Sequence, residues 1–509
     1  MPARVLSAAL VGLDAVPVEV EADLSAQLPG LLIVGLPDQA VEESRERVRS
    51  ALKNAGIPPL RQKITINLAP GDLRKEGAAY DLPIAVAILL AAGHLQLRQP
   101  WATQLFAGEL SLDGSVRAIP GVLPIALLSK ARGITNLYVP EANVSEACLV
   151  PGVTVYGVAT LRDLALHLKG EAEIAARSSA GLPPQAALAE ADVDFSAIQG
   201  QESVKRALEI AAAGGHNILL SGPPGAGKTL LARAFSGILP QMTDEEVLEV
   251  TRIYSVAGLL PPGVPLVRQR PFRSPHHSAS AISLVGGGST PKPGEVTLAH
   301  RGVLFLDEFP EFPRAALEHL RQPLEDGVVT VARVAASVRF PARFLLVAAA
   351  NPCPCGYLSD PQRPCVCSPT QVLRYRKRIS GPMLDRIDLH VEVPPVQFEK
   401  LAAPQPGEST AAVRTRVQQA RDRQTARFTA AASGALTNAE MGLEDLKIFV
   451  RLDEATVAFL RQAVPKLQLS ARGYHRALKV ARTIADLAGE DTISQQHVAE
   501  ALQYRPAAE

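Results

Sequence analysis

The sequence predicts an α/β protein that ends in a helical region. Over the first 170 residues, short strand-like apolar runs alternate with helical stretches. A second alternation of the same kind surrounds a glycine-rich segment near residue 222. After about residue 396, Ala, Arg, Glu and Leu recur at helical spacing, which is typical of a bundle of helices.

Length and composition indicate a folded protein with several domains. The 509 residues suggest about three domains at ~150 residues each. Hydrophobic residues make up 47% and charged residues 20%, which excludes a disordered or fibrous chain. The formal net charge is only +1, so nucleic-acid binding would need a local basic surface, or a ring that concentrates one.

No segment predicts a membrane or secreted protein. The longest apolar run, residues 82–93, is too short to span a bilayer, and the N-terminus has no signal-peptide cleavage pattern. Four of the five cysteines fall between Cys353 and Cys367, which does not resemble a secreted disulfide framework. We therefore expect a soluble, cytoplasmic protein without a membrane partner.

The chain divides into three predicted domains and a linker. The first domain covers residues 1–170, with strands at 31–34, 64–67 and 137–139 and helices at 39–55 and 82–92. Residues 171–192 are rich in Ala with a Gly and a Pro pair, and are typical of a linker. We expect an α/β core over 193–395 and a helical lid over 396–509.

Residues 218–229, ILLSGPPGAGKT, predict a phosphate-binding loop. An apolar strand leads into the spacing G-x-x-x-x-G-K-T, and a helix follows, which is the context that a P-loop requires. Glycines let backbone N–H groups turn onto phosphate oxygens, Lys228 reaches the β- and γ-phosphates, and Thr229 holds Mg²⁺. The predicted ATP-binding residues of this loop are Gly222, Pro223, Pro224, Gly225, Ala226, Gly227, Lys228 and Thr229.

Two further apolar strands end in polar residues that suit the same site. In residues 303–308, VLFLDE, we expect Asp307 to coordinate Mg²⁺ through a water molecule and Glu308 to polarise the attacking water. Residues 344–351, FLLVAAAN, place Asn351 to sense the γ-phosphate or to orient that water. The alternative for Asn351 is an ordinary strand-end cap.

Two arginines are candidates for contact with the phosphoryl group that is transferred. Arg386, in GPMLDRIDL, would act from a neighbouring subunit, and the alternative is a local ion pair with Asp385 or Asp388. Arg472, in LSARGYHR, would close over the nucleotide from the lid, with Arg476 as the second choice.

The cysteine cluster reads CPCGYLSDPQRPCVC and predicts a zinc site. Two C-x-C pairs supply four thiolates within one short loop, which matches a tetrahedral Zn²⁺ site with ligands Cys353, Cys355, Cys365 and Cys367. The alternative is four reduced thiols in an irregular loop. The fifth cysteine, Cys148, is expected in the core.

Together these motifs resemble the magnesium-chelatase-like ComM/YifB family of AAA+ ATPases. The strings that carry the resemblance are GQESVKRALEIAAAGGHNILLSGPPGAGKT, FRSPHHSAS, HRGVLFLDEFPEF, NPCPCG, ISGPMLDRIDLHVEVP and LSARGYHRALKVARTIADL. The resemblance covers essentially the whole chain. It implies a hexameric ATPase that uses ATP and Mg²⁺ and acts as a DNA helicase, driving branch migration when single-stranded DNA is integrated during natural transformation.

The resemblance also implies roles for single residues and for partners. Lys228 and Thr229 would belong to the Walker A motif, and Asp307 and Glu308 would form the Walker B motif. Asn351 would be sensor 1, Arg386 the arginine finger and Arg472 sensor 2. The implied partners are single-stranded and branched DNA, five further copies of the chain and the recombinase machinery.

The first domain resembles the Lon-protease fold without its catalytic dyad. KEGAAYD at 75–81 places Ala79 where such proteases carry the nucleophilic Ser, and Leu123 and Ile125 lie near the position of the Lys. Because a Ser–Lys dyad needs a hydroxyl and an amine, we predict no proteolysis. The domain would serve oligomerisation or DNA binding, as the similar domain of the RadA helicase does.

Two basic segments are candidates for DNA contact. Residues 327–342 alternate Val, Thr and Arg around small residues and predict a β-hairpin, which related AAA+ rings project into the pore. Arg333 and Arg339 would contact phosphates, and the alternative is a surface hairpin with solvated arginines. Residues 267–280, VRQRPFRSPHHSAS, could touch DNA or a neighbouring subunit; His276 and His277 lack an adjacent acid or Cys for a metal site.

Two rival functions remain on sequence grounds. A magnesium-chelatase motor subunit is one, although the Lon-like domain and the cysteine loop set this chain apart from it. A protein-remodelling AAA+ machine is the other, but aromatic residues are only 4% of the chain and no aromatic–Gly pore loop follows the P-loop.

Overall fold

The computed structural model describes residues 2–58, 62–179, 193–261, 263–288, 291–332, 337–358, 360, 363–396 and 407–505. The chain divides into two compact units. The first comprises Met1–Ala186 with Asp244–Arg268, and the second Ala187–Thr243 with Gln269–Glu509. Within the described residues, no helix is long and apolar enough to cross a membrane.

The first unit is built on a mixed eight-stranded sheet and a small two-stranded ribbon. The sheet has the order β10-β9-β8-β5-β1-β2-β4-β3, and β6 pairs with β7 in the ribbon. The strands are β1 (Ala3–Val11), β2 (Asp14–Ser25), β3 (Gly30–Val34), β4 (Lys63–Ala69), β5 (Gln104–Phe106), β6 (Glu109–Leu110), β7 (Val116–Arg117), β8 (Asn136–Pro140), β9 (Thr154–Val158) and β10 (Ala176–Ser178).

Six α-helices complete the described part of the first unit. They are α1 (Gln39–Asn54), α2 (Asp81–Ala91), α3 (Val122–Ala131), α4 (Val144–Ala147), α5 (Leu161–Lys169) and, later in the chain, α8 (Asp244–Ala257). Helix α2 is buried on all sides from its first residue to Leu89, which marks it as a central core helix. The strands and helices predicted from the apolar periodicity of this region are confirmed to within about two residues.

Two segments of the first unit differ from the expected organisation. Residues 176–178, which we expected in the linker, form the edge strand β10, antiparallel to β9. Residues 244–268 were expected in the central domain but cluster with the first unit, because α8 packs against α3. Ser255 of α8 donates a hydrogen bond to the buried Glu146 carboxylate, whose pKa is raised by burial.

The three residues at the predicted positions of a protease dyad lie in this unit. Ala79 precedes α2, and Leu123 and Ile125 are buried within α3. Leu123 and Ile125 pack into the core, and Ala79 is partly buried. The absence of proteolysis stays a prediction that rests on the chemistry of these three side chains.

The second unit contains a five-stranded parallel sheet with the order β12-β15-β18-β11-β19. Two short antiparallel pairs, β13–β14 and β16–β17, lie outside it. The strands are β11 (Ile218–Ser221), β12 (Phe272–Arg273), β13 (Gly286–Gly287), β14 (Lys292–Pro293), β15 (Val303–Leu306), β16 (Val328–Ala332), β17 (Ser337–Pro341), β18 (Leu345–Ala350) and β19 (Leu389–Glu392).

Helices pack around this sheet, and residues 407–505 form helices and their connecting segments, as predicted for the lid. They are α6 (Glu202–Gly214), α7 (Lys228–Ile238), α9 (Ala281–Val285), α10 (Glu295–Leu298), α11 (Arg314–His319), α12 (Arg321–Asp326), α13 (Pro369–Arg376), α14 (Gly381–Leu384), α15 (Thr410–Ala430), α16 (Leu443–Phe449), α17 (Glu454–Lys466), α18 (Ala471–Ala488) and α19 (Gln495–Gln503).

The core of the second unit joins the sheet to the lid helices. Apolar side chains of β11, β15, β18 and β19 share one hydrophobic cluster with those of α6, α7, α15 and α18. The central strands are buried on both faces, as parallel strands covered by helices require. All five parallel strands therefore end at the same edge of the sheet, where polar residues can meet.

Candidate nucleotide site and its surroundings

The P-loop joins β11 to α7 in a backbone shape that needs glycine. Gly225 and Gly227 have φ of +78° and +84°, in the left-handed region that other residues rarely adopt. A Cβ at Gly222 would lie 2.3 Å from the carbonyl oxygen of Val393. Helix α7 begins at Lys228, so its unpaired N–H groups lie beside the loop, where they suit phosphate oxygens.

Lys228 is buried and is held by three oxygen atoms. Its Nζ donates to the carbonyl oxygens of Gly222 (2.7 Å) and Pro223 (3.0 Å) and to Oδ1 of Asn351 (3.1 Å). Burial lowers the pKa of Lys228, while the charges of Asp307 and Glu308 act in the opposite direction. The structure thus brings the predicted P-loop lysine and the polar residue after β18 into direct contact.

Thr229 and Asp307 also meet, as expected for two magnesium ligands. Thr229 Oγ1 donates to Asp307 Oδ2 at 2.8 Å, and the other carboxylate oxygen of Asp307 accepts from the N–H of Glu308 at 2.9 Å. Only β18 separates β15 from β11, so the ends of these strands are close. A hydroxyl beside a carboxylate is a suitable oxygen pair for Mg²⁺, which is usually bound by few protein ligands.

Glu308 lies just beyond β15 and contacts a histidine that we did not assign to this site. Its carboxylate Oε2 is 3.2 Å from Nδ1 of His277. Strand β12 pairs in parallel with β15, Arg273 opposite Leu304, and the two contacting residues each lie four positions further on. The sequence showed that residues 267–280 are basic, but it did not indicate that His277 contacts Glu308, because this contact depends on the register of β12 on β15.

Arg386 is buried, and its partner is neither of the acids next to it in sequence. Its guanidinium forms an ion pair with Glu325 and donates to the carbonyl oxygens of Arg321 (3.2 Å) and Pro382 (2.7 Å). The alternative of an ion pair with Asp385 or Asp388 is therefore wrong, because the acid that pairs with Arg386 is Glu325. The arginine-finger role stays a prediction, and it requires Arg386 to leave Glu325.

Arg472 and Arg476, both on α18, have different surroundings. Arg472 is exposed, with Nη2 4.0 Å from the carboxylate of Glu325. Arg476 instead donates to Oδ1 of the buried Asp388 at 3.0 Å. The geometry thus brings the two predicted arginines, Arg386 and Arg472, to the same glutamate, a residue that sequence reasoning missed.

The four clustered cysteines converge as the zinc prediction requires. Their Sγ atoms all lie within 4.8 Å of one another, and the pairs 353–355, 353–365 and 355–365 are 3.4, 3.7 and 3.6 Å apart. Four sulfurs bound tetrahedrally to Zn²⁺ at ~2.3 Å would be about 3.8 Å apart. These distances are too long for disulfide bonds, and all the cysteines are free. The donor set therefore fits Zn²⁺.

The electrostatics of the cluster also favour a cation. Backbone N–H groups of Tyr357 and Val366 donate to the sulfur of Cys355 and lower the pKa of its thiol to about 6. A backbone N–H of Cys367 acts in the same sense on Cys365, but burial and the neighbouring sulfurs raise the pKa of Cys365 to about 12. A bound cation would remove the repulsion that opposes further deprotonation.

The cysteine loop lies directly against the P-loop. A Cβ at Gly356 would be 2.5 Å from Cδ of Pro224, so the two backbones approach closely. Asn351, which contacts Lys228, is only two residues before Cys353. The loop thus packs against the P-loop at Gly356 and closely follows a residue of the nucleotide site in the chain.

The predicted hairpin is present as strands β16 and β17. Thr330 lies opposite Arg339, which is exposed on the outer face of the ladder. Arg333 lies outside the described residues. In the basic insert, Arg270 donates to the carbonyl oxygens of Pro240 and Arg301, both at 2.6 Å, so it serves the internal structure of the unit.

Comparisons with known proteins identify the family. The family model described as "Magnesium chelatase, subunit ChlI" matches residues 194–401, "Subunit ChlI of Mg-chelatase" matches 20–143, and "Magnesium chelatase, subunit ChlI C-terminal" matches 407–505. "Magnesium-chelatase 67 kDa subunit" of Chlorobaculum parvum is 29% identical over 166 residues, which cover 31% of this chain and 23% of that protein.

Other relatives match from end to end. "Competence protein ComM" of Haemophilus influenzae is 44% identical over 512 residues, covering 99% of this chain and 97% of that one. YifB of Escherichia coli K12 is 44% identical over 501 residues, covering 98% and 96%. An uncharacterised protein of Mycobacterium tuberculosis is 45% identical over 507 residues, covering 99% and 98%. The chain therefore belongs to the ComM/YifB family of magnesium-chelatase-like AAA+ proteins, which implies ATP hydrolysis with Mg²⁺.

Proposed function

We propose that the chain is an ATP-driven, hexameric DNA translocase that promotes branch migration when single-stranded DNA is integrated in natural transformation or recombination. The observation that carries the proposal is the meeting of Lys228, Thr229, Asp307 and Asn351 at one edge of a parallel sheet. The printed name of the Haemophilus relative, a competence protein, supports the link to DNA.

The residues of the site divide the chemistry among them. The P-loop N–H groups and Lys228 bind the phosphates, while Thr229 and Asp307 hold Mg²⁺, which supplies charge neutralisation when bound. Glu308 accepts the proton of the attacking water, and Asn351 orients that water or the γ-phosphate. Arg386 of a neighbouring subunit and Arg472 of the lid stabilise the charge that develops on the phosphoryl group.

Movement on DNA is assigned to the hairpin β16–β17. The hairpin directly follows α12 in the chain. Helix α12 carries Glu325, the residue that forms an ion pair with Arg386. A change at the phosphates that moves Arg386 would be passed to the hairpin through this short helix. Arg339 and Arg333 would contact phosphates of DNA, and six copies would line one pore.

Two further assignments complete the proposal. The cysteines Cys353, Cys355, Cys365 and Cys367 hold a structural Zn²⁺ that cross-links the loop against the P-loop. The first unit serves oligomerisation or DNA binding without protease activity. A protein that acts on chromosomal DNA and uses cellular ATP would lie in the cytoplasm, and the recombinase machinery would be its partner.

The test is ATP hydrolysis by the full chain with and without single-stranded and branched DNA, with a Lys228→Ala variant as control. We expect DNA to stimulate hydrolysis by the wild type, and the variant to be inactive with and without DNA. Hydrolysis that requires Lys228 but does not respond to any DNA would contradict the translocase.

The chelatase motor is the second candidate, because the Chlorobaculum relative that matches part of this chain is named as a magnesium-chelatase subunit. Metal insertion into a porphyrin in the presence of the partner chelatase subunits would support it. Hydrolysis stimulated by an unfolded polypeptide rather than by DNA would instead support a protein-remodelling machine.

A further inference from the structure

Glu325 lies between the two arginines that we assign to the transferred phosphoryl group. Its Oε2 atom accepts a hydrogen bond from Nη2 of Arg386, and its Oε1 atom is 4.0 Å from Nη2 of Arg472. The three residues come from different parts of the second unit: Glu325 from α12, Arg386 from the segment after α14, and Arg472 from α18. Packing, not closeness in sequence, therefore brings two cations to one carboxylate.

The guanidinium of Arg386 is held through all three of its nitrogen atoms. Nε donates to the carbonyl oxygen of Arg321 at 3.2 Å, Nη1 donates to that of Pro382 at 2.7 Å, and Nη2 donates to Glu325. Of these three acceptors, only Glu325 carries a negative charge. Because only 9% of the Arg386 side chain is exposed, this arrangement leaves it little surface for a ligand. A phosphate that binds Arg386 must therefore replace part of this arrangement.

The contact with Glu325 is the part that a phosphate can replace. The Glu325 side chain is 53% exposed, so water screens the ion pair and limits how much it stabilises the arrangement. Arginine binds phosphate through parallel N–H···O bonds as it binds a carboxylate, and a terminal phosphate offers more oxygen atoms and more charge. The γ-phosphate of ATP is thus a stronger ligand for Arg386 than Glu325 is. ADP lacks this phosphate and cannot compete at the same position.

We propose that Glu325 is a positioning residue that competes with the γ-phosphate of ATP for Arg386 and, at its longer distance, for Arg472. Glu325 keeps the two arginines together while no triphosphate is bound, and the γ-phosphate then takes its place. The inference rests on the proposed function, in which Arg386 acts on ATP bound by a neighbouring subunit. A purely structural ion pair would differ in one respect, because its removal would affect ADP binding and ATP binding alike.

The test is fluorescence titration of the full chain with a labelled non-hydrolysable ATP analogue and with ADP that carries the same label. Glu325→Gln keeps the size of the side chain but removes the competing charge. It should bind the ATP analogue at least about threefold more tightly than the wild type, and ADP equally well. Asp326→Asn changes the exposed acid next to it on α12 and is the matched control, which should equal the wild type with both nucleotides. Arg386→Gln should bind the analogue more weakly, and most of the gain from Glu325→Gln should be absent in that background.

The outcomes separate this inference from the proposed function. If the wild type binds neither nucleotide, or if Arg386→Gln binds the analogue as tightly as the wild type, the proposed function is wrong about the site or about the arginine. If Arg386→Gln weakens binding of the analogue but Glu325→Gln equals the wild type, only the role of Glu325 is overturned. An equal change in the binding of ADP and of the analogue also overturns that role, because Glu325 would then act on the fold. So does a gain of full size in the Arg386→Gln background.

Discussion

Replacing the buried Asp388 by Asn tests how the lid helix is attached to the ATPase core. One carboxylate oxygen accepts from Arg476 of α18 at 3.0 Å, and the other lies 3.3 Å from Nδ1 of His216 and accepts from the N–H of Asn217. His216 in turn contacts Thr483 of α18 at 2.8 Å. The carboxylate therefore ties the start of β19 to the lid in two ways.

The structure gives the magnitude of this attachment. Burial alone would raise the pKa of Asp388, but the hydrogen bond from His216 and the charges of His216, Arg476 and Arg505 lower it from 3.8 to about 2. At 1.36 kcal/mol for each pKa unit, this lowering of the pKa of Asp388 corresponds to about 2.5 kcal/mol of stability. Because Asn is neutral and would leave Arg476 without a negatively charged partner, we expect a total loss of about 2–5 kcal/mol.

The assay is hydrogen exchange of α18 at neutral pH, read together with the KM for ATP. Asp388→Asn should expose the α18 amides to faster exchange and raise KM, since the lid carries Arg472. Asp385→Asn, an exposed acid three residues earlier, is the matched control and should match the wild type. Equal exchange in Asp388→Asn and wild type would refute the reasoning.

The pH dependence follows from the sign of the shift. A lowered pKa in the folded state stabilises the protein above the unfolded value of 3.8, and the stabilisation is lost as the pH falls from about 4 to about 2. The difference in stability between the wild type and Asp388→Asn should therefore be complete at pH 7 and should shrink over that acidic range.

The remaining predictions concern the site and the cysteine loop. Glu308→Gln should lower ATP turnover by about 10²–10⁴-fold while nucleotide binding, measured by fluorescence titration, is retained. His277→Ala should lower kcat with little change in KM, because its contact is to Glu308; an unchanged kcat would dismiss it as a positioning residue. Elemental analysis should find one zinc per chain, lost in Cys353→Ser and kept in Cys148→Ser. Gly356→Ala should weaken ATP binding but keep the metal, since its Cβ would collide with the P-loop.

Much of the nucleotide site was predictable because its residues follow buried strands. Glycine spacing predicted the turn before Lys228, and apolar runs ending in Asp307 and Asn351 predicted strands whose ends meet at one edge. Parallel pairing of β11 with β18 and of β15 with β18 brings together residues that lie about 130 and about 40 positions apart in sequence. Local patterns and one rule about parallel sheets were sufficient here.

The partners of the arginines and of Glu308 could not be predicted in this way. Arg386 has acids one residue before it and two after it, yet it pairs with Glu325, about sixty residues earlier, because α12 lies beside it. His277 reaches Glu308 only through the register of β12 on β15. Such contacts depend on how irregular segments and short helices pack, and no periodicity in the sequence encodes that packing.

The most direct test of the central claim uses a synthetic three-strand junction with one labelled strand. The full chain is added with Mg²⁺ and either ATP or a non-hydrolysable analogue, and release of the labelled strand is followed over time. The account predicts release with ATP, none with the analogue and none with Lys228→Ala. A junction that stays intact while the same sample hydrolyses ATP would contradict the account.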